Sequence, residues 1–499
     1  METRKYATRS PATNGPGSSK SPILAESPPE AQPMGLDYSF ESELDTAGSV
    51  GYELPLILGD EWPANLPSRQ LVNHLVDLFF NCYPNSRRVV HRPTFLSSLL
   101  ESPSSPRFPY IGLLHAICAA GAVYSSLVTA APQPVLSNRP AEELFSRKTH
   151  TLDGRVLAFD EEQFLLAKYL NMDFANKGEH LLEVVQGKSK RIESPIWAKD
   201  LLNSLPHQFL GNLASRLSVA LGLNLSDTMQ RPLPSYIREQ LLISPPQSHV
   251  DVELRRNVFW LVYALQRYHL SVLPALAFDL SDEDIQQTLP GTLAAFESGP
   301  FEVSQEYAQQ VDDGQERQSQ MSPDLFTTHP ENLDDFGLYI KSAMMLSRIH
   351  ILQGRQFRES LDDEEIRNSK ELNVLEAIVV SMKSSALKGR FNLMEQPSSA
   401  ALSNLYMSHI SPYFATILCH MTIADWSNPG CESANKSLAA ARSILACTAT
   451  LRSTSWDCAR VDKMATLYWC IVGKILLLAL RQAPDSLAPV LRGEILLLR

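Results

Sequence analysis

The chain has 499 residues, 44% of them hydrophobic and 20% charged, and a net charge of −11. That length calls for one large domain or two packed ones, and the composition is that of a globular chain rather than a fibrous or disordered one. The acidic balance argues against a broad electrostatic grip on nucleic acid, because phosphate binding rests on clustered Lys and Arg.

Residues 1–60 are rich in Pro, Ser and Gly and lack a periodic apolar pattern, so a disordered tail is expected there. Its cations, Arg4, Lys5, Arg9 and Lys20, are diluted among small residues, and no apolar core of a signal peptide precedes them. A helical region opens at Leu66. Leu71, Leu75 and Leu78 share one face, with Val72, Val76 and Phe79 beside it, which predicts a helix from near Ser68 to Pro84. The segments "YIGLLHAICAAGAVYSSLV" and "GNLASRLSVALGL" also read as helices, and alternating β-branched runs are hard to find.

Val258, Leu261, Val262, Leu265 and Val272 recur at helical spacing, so a long scaffold helix is expected from about Asp251 to Leu273. Arg255, Arg256, Gln266 and Arg267 fall largely off its apolar stripe, and Pro274 ends or kinks it. Ser281 followed by Asp284 is a helix cap, which makes Asp282 and Glu283 capping groups near a short helix dipole. Phe301–Asp335 is polar and acidic, and reads as an exposed loop or linker between a core segment at 61–300 and a helical part at 336–499 of the same region.

Helical patterns resume at Phe336–Arg355, Asn373–Phe391, Met407–Trp426, Ser433–Leu451 and Met464–Leu480. The last is short for a bilayer and contains Lys474, so it is expected to be a buried helix, with no membrane partner. The final "GEILLLR" carries no helix stop signal, which leaves further chain beyond it open. The expected fold is all-α, an irregular multi-helix bundle with a disordered N-terminal tail and a polar internal loop.

Chemistry is sparse. Cys82, Cys118, Cys419, Cys431, Cys447, Cys458 and Cys470 include no pair at zinc-finger spacing. Their odd number and apolar settings predict reduced, buried thiols in an intracellular compartment. "GKS" at 187–189 lacks the earlier glycine of a phosphate loop, and neither His-Glu-x-x-His nor Gly-x-Ser-x-Gly occurs. Asp312, Asp313 and Glu316 have the Asp-Asp-x-x-Glu spacing with which terpene cyclases gather magnesium. An α-helical magnesium-dependent enzyme is therefore the alternative reading, weakened by Gly314 and the polar setting.

Pro93 favours an extended residue before it, so His91 and Arg92 could line a groove for an effector or partner helix, or make an interhelical polar contact instead. Phe95, Arg255, Arg256 and Trp260 complete that candidate groove. Pairing of Arg255 and Arg256 with the acids near Asp282, or with a partner, stays open.

"ELRRNVFW", the long helix and "LSDEDIQQTLP", in that order, resemble the fungal-specific transcription factor domain, the regulatory middle region of zinc-cluster activators. "LPSRQLVNHLVDLFFNCYPNSRRVVHRPTFLSSLL", "RLSVALGLNLSD" and "FGLYIKSAMMLSRIHIL" resemble other segments of that domain, and together they span most of residues 66–357. Gln266 stands where the family commonly has Asp, "VLPALAF" replaces a Gly-Arg-Pro-like turn, and "GKSKRIESPIWAKDLLNSLPHQ" interrupts an apolar helix, which puts the packing of residues 186–210 in question. The family's DNA reader is a six-cysteine zinc cluster, and residues 1–65 contain no cysteine, so zinc-dependent DNA contact is not expected of these residues.

The resemblance implies a nuclear transcription regulator that binds rather than catalyses. It implies no catalytic residue, cofactor or metal, zinc entering only with an upstream cluster. The implied partners are a DNA-binding transcription factor or coregulator and a small-molecule effector, with DNA reached indirectly and a homodimer left open.

Overall fold

The computed structural model describes residues 62–128, 158–192, 214–228, 231–273, 276–298, 317–331, 333–359, 362–387, 389, 399–454, 456 and 458–498. The expected tail at 1–60, the Asp312–Glu316 motif and residues 193–210 of the suspected insertion lie outside them. Among the described residues every regular element is helical, as the apolar periodicity requires.

Helix α1 spans Arg69–Cys82, with the Ser68 hydroxyl accepting from the Leu71 N–H as its cap. It is followed by α2 (Ser86–Val89), α3 (Arg92–Leu99), α4 (Ile111–Ala122), α5 (Phe159–Lys177), α6 (Leu181–Ile192) and α7 (Ser235–Arg238). Gly187 of the "GKS" stretch lies inside α6, where no phosphate loop forms. The central helix α8 covers His249–Leu270, starting at a Ser248 cap and ending three residues earlier than expected. After it come α9 (Leu293–Ser298), α10 (Asp335–Glu359), α11 (Asp363–Arg367), α12 (Lys370–Ser381), α13 (Ser399–His420), α14 (Glu432–Arg452), α15 (Met464–Gln482) and α16 (Ala488–Leu496).

Among the described residues one hydrophobic core extends from Leu66 to Leu491. Helix α8 packs on α10, α10 on α13, α13 on α14 and α14 on α15, while α1, α5 and α6 gather around α4. The α1–α4 contact is close because Gly121 carries no side chain: a Cβ there would lie 2.3 Å from the Leu75 carbonyl oxygen. Helix α13 begins eight residues before the expected Met407 and carries Pro412 inside it. The helix packs on both α10 and α14, and the Thr416 hydroxyl donates to the Pro412 carbonyl.

Two sequence expectations need correction. Helix α15 was expected to be buried, but only a third of its most apolar window is inside; Ala465, Tyr468, Val472, Ile475 and Leu476 face the core, whereas Lys474, Leu477 and Arg481 face outward. By length and composition it could cross a membrane, and here its inner face packs on α14. The thiols also divide: Cys82, Cys118 and Cys419 are buried, Cys431, Cys447 and Cys458 are half-buried and Cys470 is exposed.

Gly121→Ala should force α1 and α4 apart, because the obstacle is backbone and cannot swing away. The expected loss is about 1–3 kcal/mol despite the better helix propensity of alanine, read as a lower midpoint in urea unfolding.

Candidate functional site

The central helix is less apolar than its stripe suggests. Arg256, Gln266 and Arg267 were expected to lie off the buried face, but all three are buried, Arg267 completely. They are buried because the chain after the helix returns across it as a strap, Asp279–Leu293, which supplies acids and carbonyls to each. Arg267 donates to Asp282 at 2.9 Å and to the Leu280 carbonyl at 2.7 Å, with its guanidinium over the Phe278 and Tyr263 rings. Gln266 donates to Asp279 at 2.9 Å. Asp282 also accepts from Tyr263 and from Ser347 of α10. It lies, as expected, in the first turn of the short helix Asp282–Asp284 that Ser281 caps by accepting from the Glu283 N–H, and it is also the counterion of a buried cation.

A second cluster lies one end further along α8. Glu253 takes Arg256, Arg317 at 3.1 Å and the Gly291 N–H. Burial alone would raise its carboxyl, but Arg256, Arg317 and that N–H outweigh it and hold it at about 2. Gln287 links Arg256 to the Leu223 and Leu225 carbonyls, and Trp260 donates to the Thr288 carbonyl at 2.7 Å. The Leu289 N–H donates to the Gln318 carbonyl.

Of the exposed loop expected at 301–335, residues 301–316 lie outside the described residues, and the described part of 317–335 is packed through several buried side chains. Gln318 and Gln320 are buried with Leu325 and Phe326, Gln320 donating to the Tyr263 hydroxyl at 2.9 Å. A run of amides reads as solvated in sequence, yet amides with partners can be buried at little cost.

The six residues proposed as a groove do not form one. His91 is the extended residue capping α3, while Arg92 is helical, because proline is tolerated in a first helical turn. His91 meets the Phe296 carbonyl at 3.0 Å and Thr94 at 2.7 Å. Burial lowers its imidazole below the ordinary range, against the Phe296 carbonyl and Glu297. Phe95 is buried against Phe80, and Arg92 lies over the Phe80 ring. Arg255 pairs with Asp251 one turn away, Arg256 with Glu253, and neither with Asp282, which Arg267 occupies. His91 and Arg92 thus make the interhelical contact, and Arg256 and Trp260 bind the strap.

The described residues do hold a cavity beside this network. It measures about 320 Å³ and is lined by Phe80, Tyr83 and Asn85 near the end of α1, Arg87 and Arg88 of α2, Leu293 of α9, Asp335 of α10 and Asn404 of α13. Asn85 follows Pro84 in a left-handed conformation (φ 54°), which aims its amide at Asn404. The two amides exchange hydrogen bonds of 3.1 and 2.9 Å, and Asn404 donates to Asp335 at 2.8 Å.

Arg88 is paired with Asp334, donates to the Gly291 carbonyl at 2.8 Å and lies over the Phe336 ring. Arg87 is paired with Glu297. Burial first, and the neighbouring Asp334 next, push the Asp335 carboxyl up to about 6 against the pull of Arg88 and Asn404. Sequence reading missed these residues. The available signals were the Pro84-Asn85 turn, the Arg87-Arg88 doublet and the Asp334-Asp335 doublet opening an apolar helix. Among the described residues no group of three or more His, Cys, Asp or Glu is placed to hold a metal ion.

Two substitutions separate the network from the cavity. Asp282→Asn leaves the Arg267 charge buried without its counterion and should cost about 3–5 kcal/mol, whereas Arg267→Met with Asp282→Leu should cost less than the single change, a non-additivity that paired urea titrations measure. Because the Asp335 carboxyl titrates higher folded than its ordinary 3.8, its contribution to stability is greatest when protonated and is lost as pH rises from about 4 to about 6. Asp335→Asn should remove that loss and melt higher than the parent at neutral pH, by about 1–2 kcal/mol after allowance for solvent access.

Residues 196–329 match the model of the fungal specific transcription factor domain. The matched stretch includes α8, the strap and the polar clusters between them; the blocks around α1 and α10 that also resemble the family lie outside the match and pack against it. An uncharacterized transcriptional regulatory protein of Schizosaccharomyces pombe is 27% identical over 228 residues, covering 45% of this chain and 19% of that protein. The aligned stretch is thus about a fifth of the relative's length. No solved structure matches. Over residues 196–329 the chain is thus similar to a fungal specific transcription factor domain, and the relative it resembles is described as a transcriptional regulatory protein.

Proposed function

We propose that this chain regulates transcription in the nucleus through its helical body, as a regulator of the fungal zinc-cluster type. An effector or coregulator binding beside α2 would shift the population of packed states, and DNA would be reached through a DNA-binding partner or an upstream zinc cluster. The observation that carries this reading is the double service of Arg88. It lines the cavity and also holds the strap through the Gly291 carbonyl and Asp334. An occupant that moves Arg88 therefore changes the strap's hold on α8, which gives the site a physical route to the rest of the body. No bond-breaking step is needed for this role.

The test is a reporter assay in yeast with the chain tethered to a heterologous DNA-binding domain. The tethered chain should change reporter output by at least about fivefold, and Asn404→Leu, which fills the cavity edge, should move that level while leaving the fusion nuclear and equally abundant. A reporter indifferent to the tethered chain, or a tagged chain excluded from the nucleus, would sink the reading.

A further inference from the structure

The charges around the cavity do not cancel. Arg87 donates to Glu297 from Nε and Nη2, and Arg88 is spent on Asp334, Asn257 and the Gly291 carbonyl. Among the described residues Asp335 makes no ion pair, and Arg88, already paired with Asp334, acts on it only from beyond pairing distance. Its side-chain partner is the neutral amide of Asn404, and that amide is fixed in turn by Asn85. The lining itself holds Arg87, Arg88 and Asp335, but with the acids that pair with the two arginines, Glu297 and Asp334, the cluster has three carboxylates to two guanidinium groups; Phe80 and Tyr83 add two aromatic rings to the lining.

A carboxylate without a counterion beside aromatic rings recognises a cation, since both the charge and the ring quadrupoles attract it. An anion would have to pull Arg87 from Glu297 or Arg88 from Asp334 and would then meet Asp335. About 320 Å³ lies at the small end of ligand sites, room for a compact molecule and not a peptide or nucleotide chain.

We propose that this cavity binds a compact organic cation, an alkylammonium group seated between the Asp335 carboxylate and the rings of Phe80 and Tyr83, with Asn404 as the residue that positions Asp335. The inference rests on the regulatory reading for the cation's role as effector. It stands on the cavity's own charges for the binding itself. Cation binding draws Asp335 toward its ionised form and offers Arg88 a competing positive charge nearby, which loosens the Arg88 tie to the strap.

The experiment is calorimetric titration of the full chain with n-butylammonium and choline, using butyrate and n-butanol as counter-probes of similar shape. A cation should bind at least about tenfold more tightly than either counter-probe, and Asp335→Asn should lower that affinity at least about tenfold with unchanged helical circular dichroism. Binding should weaken as pH falls from about 7.5 to about 5.5, because a proton then competes for Asp335. The charged groups around that carboxyl are Asp334 and Arg88, with the Arg87–Glu297 pair beyond, and Asn404 faces it from α13 without charge.

Should Asp335→Asn melt early, Tyr83→Leu carries the test: it should reduce cation affinity several-fold and leave butanol unaffected. Equal or tighter binding of butyrate or butanol, full cation affinity in both variants, or no cation binding at about 10 mM would each overturn the proposal. A tethered reporter that responds without any cation binding overturns this inference and leaves the regulatory reading intact. Cation binding with a reporter that ignores the ligand leaves the binding inference standing and removes only the cation's role as effector.

Discussion

The structure depends on a charge buried in its middle. Arg267 lies on the central helix with no exposure to solvent, and a guanidinium there is tolerated only because the chain doubles back to deliver Asp282 and the Leu280 carbonyl to it. That requirement fixes the strap. Once Asp282 is held, Ser347 brings α10 to the same carboxylate, and Tyr263 brings Gln320 of the segment before α10. Four pieces of chain distant in sequence meet at one ion pair. Hydrophobic burial supplies most of the driving force for such a body, but it would accept many registers of one helix on another. A buried ion pair with directional hydrogen bonds accepts very few, which is the specificity role proposed for such groups.

The strap carries that specificity outward. At its far end Gly291 is shared between Glu253, which takes its N–H, and Arg88, which takes its carbonyl. Leu293 then gives its N–H to Asp334, the acid that also caps α10 and pairs with Arg88. The cavity opens beside these bonds. Its polar walls come from four helices whose ends converge there, so its shape reports on how those helices are set relative to one another. A site of this construction suits a protein whose output is a change of packing.

Much of the bundle was legible in the chain. Helix α1 begins at its Ser68 cap and ends before Pro84, because cap chemistry and apolar spacing are local and both point the same way. The order of segments across residues 196–329 was legible as well, and the family match covers that stretch. What failed were residues judged by polarity alone. Arg256, Gln266 and Arg267 look like a solvated face, and Gln318 and Gln320 look like a linker, until a partner from elsewhere in the chain is known. His91 and Arg256 failed as groove residues for the same reason: both already had partners inside the fold.

The sequence by itself determined that this protein is helical, where several of its long helices lie, and that residues 196–329 resemble a regulatory domain, since these follow from short-range spacing and the order of segments. Only the tertiary structure decided that Arg267 is a core residue, that Asp282 is its counterion as well as a first-turn acid, and that Asp335 is left without an ion pair in a cavity lined by two aromatic rings. The reason is physical. Helix formation is settled by bonds four residues apart, whereas the fate of a charge depends on whether an opposite charge, brought from tens or hundreds of residues away, arrives beside it.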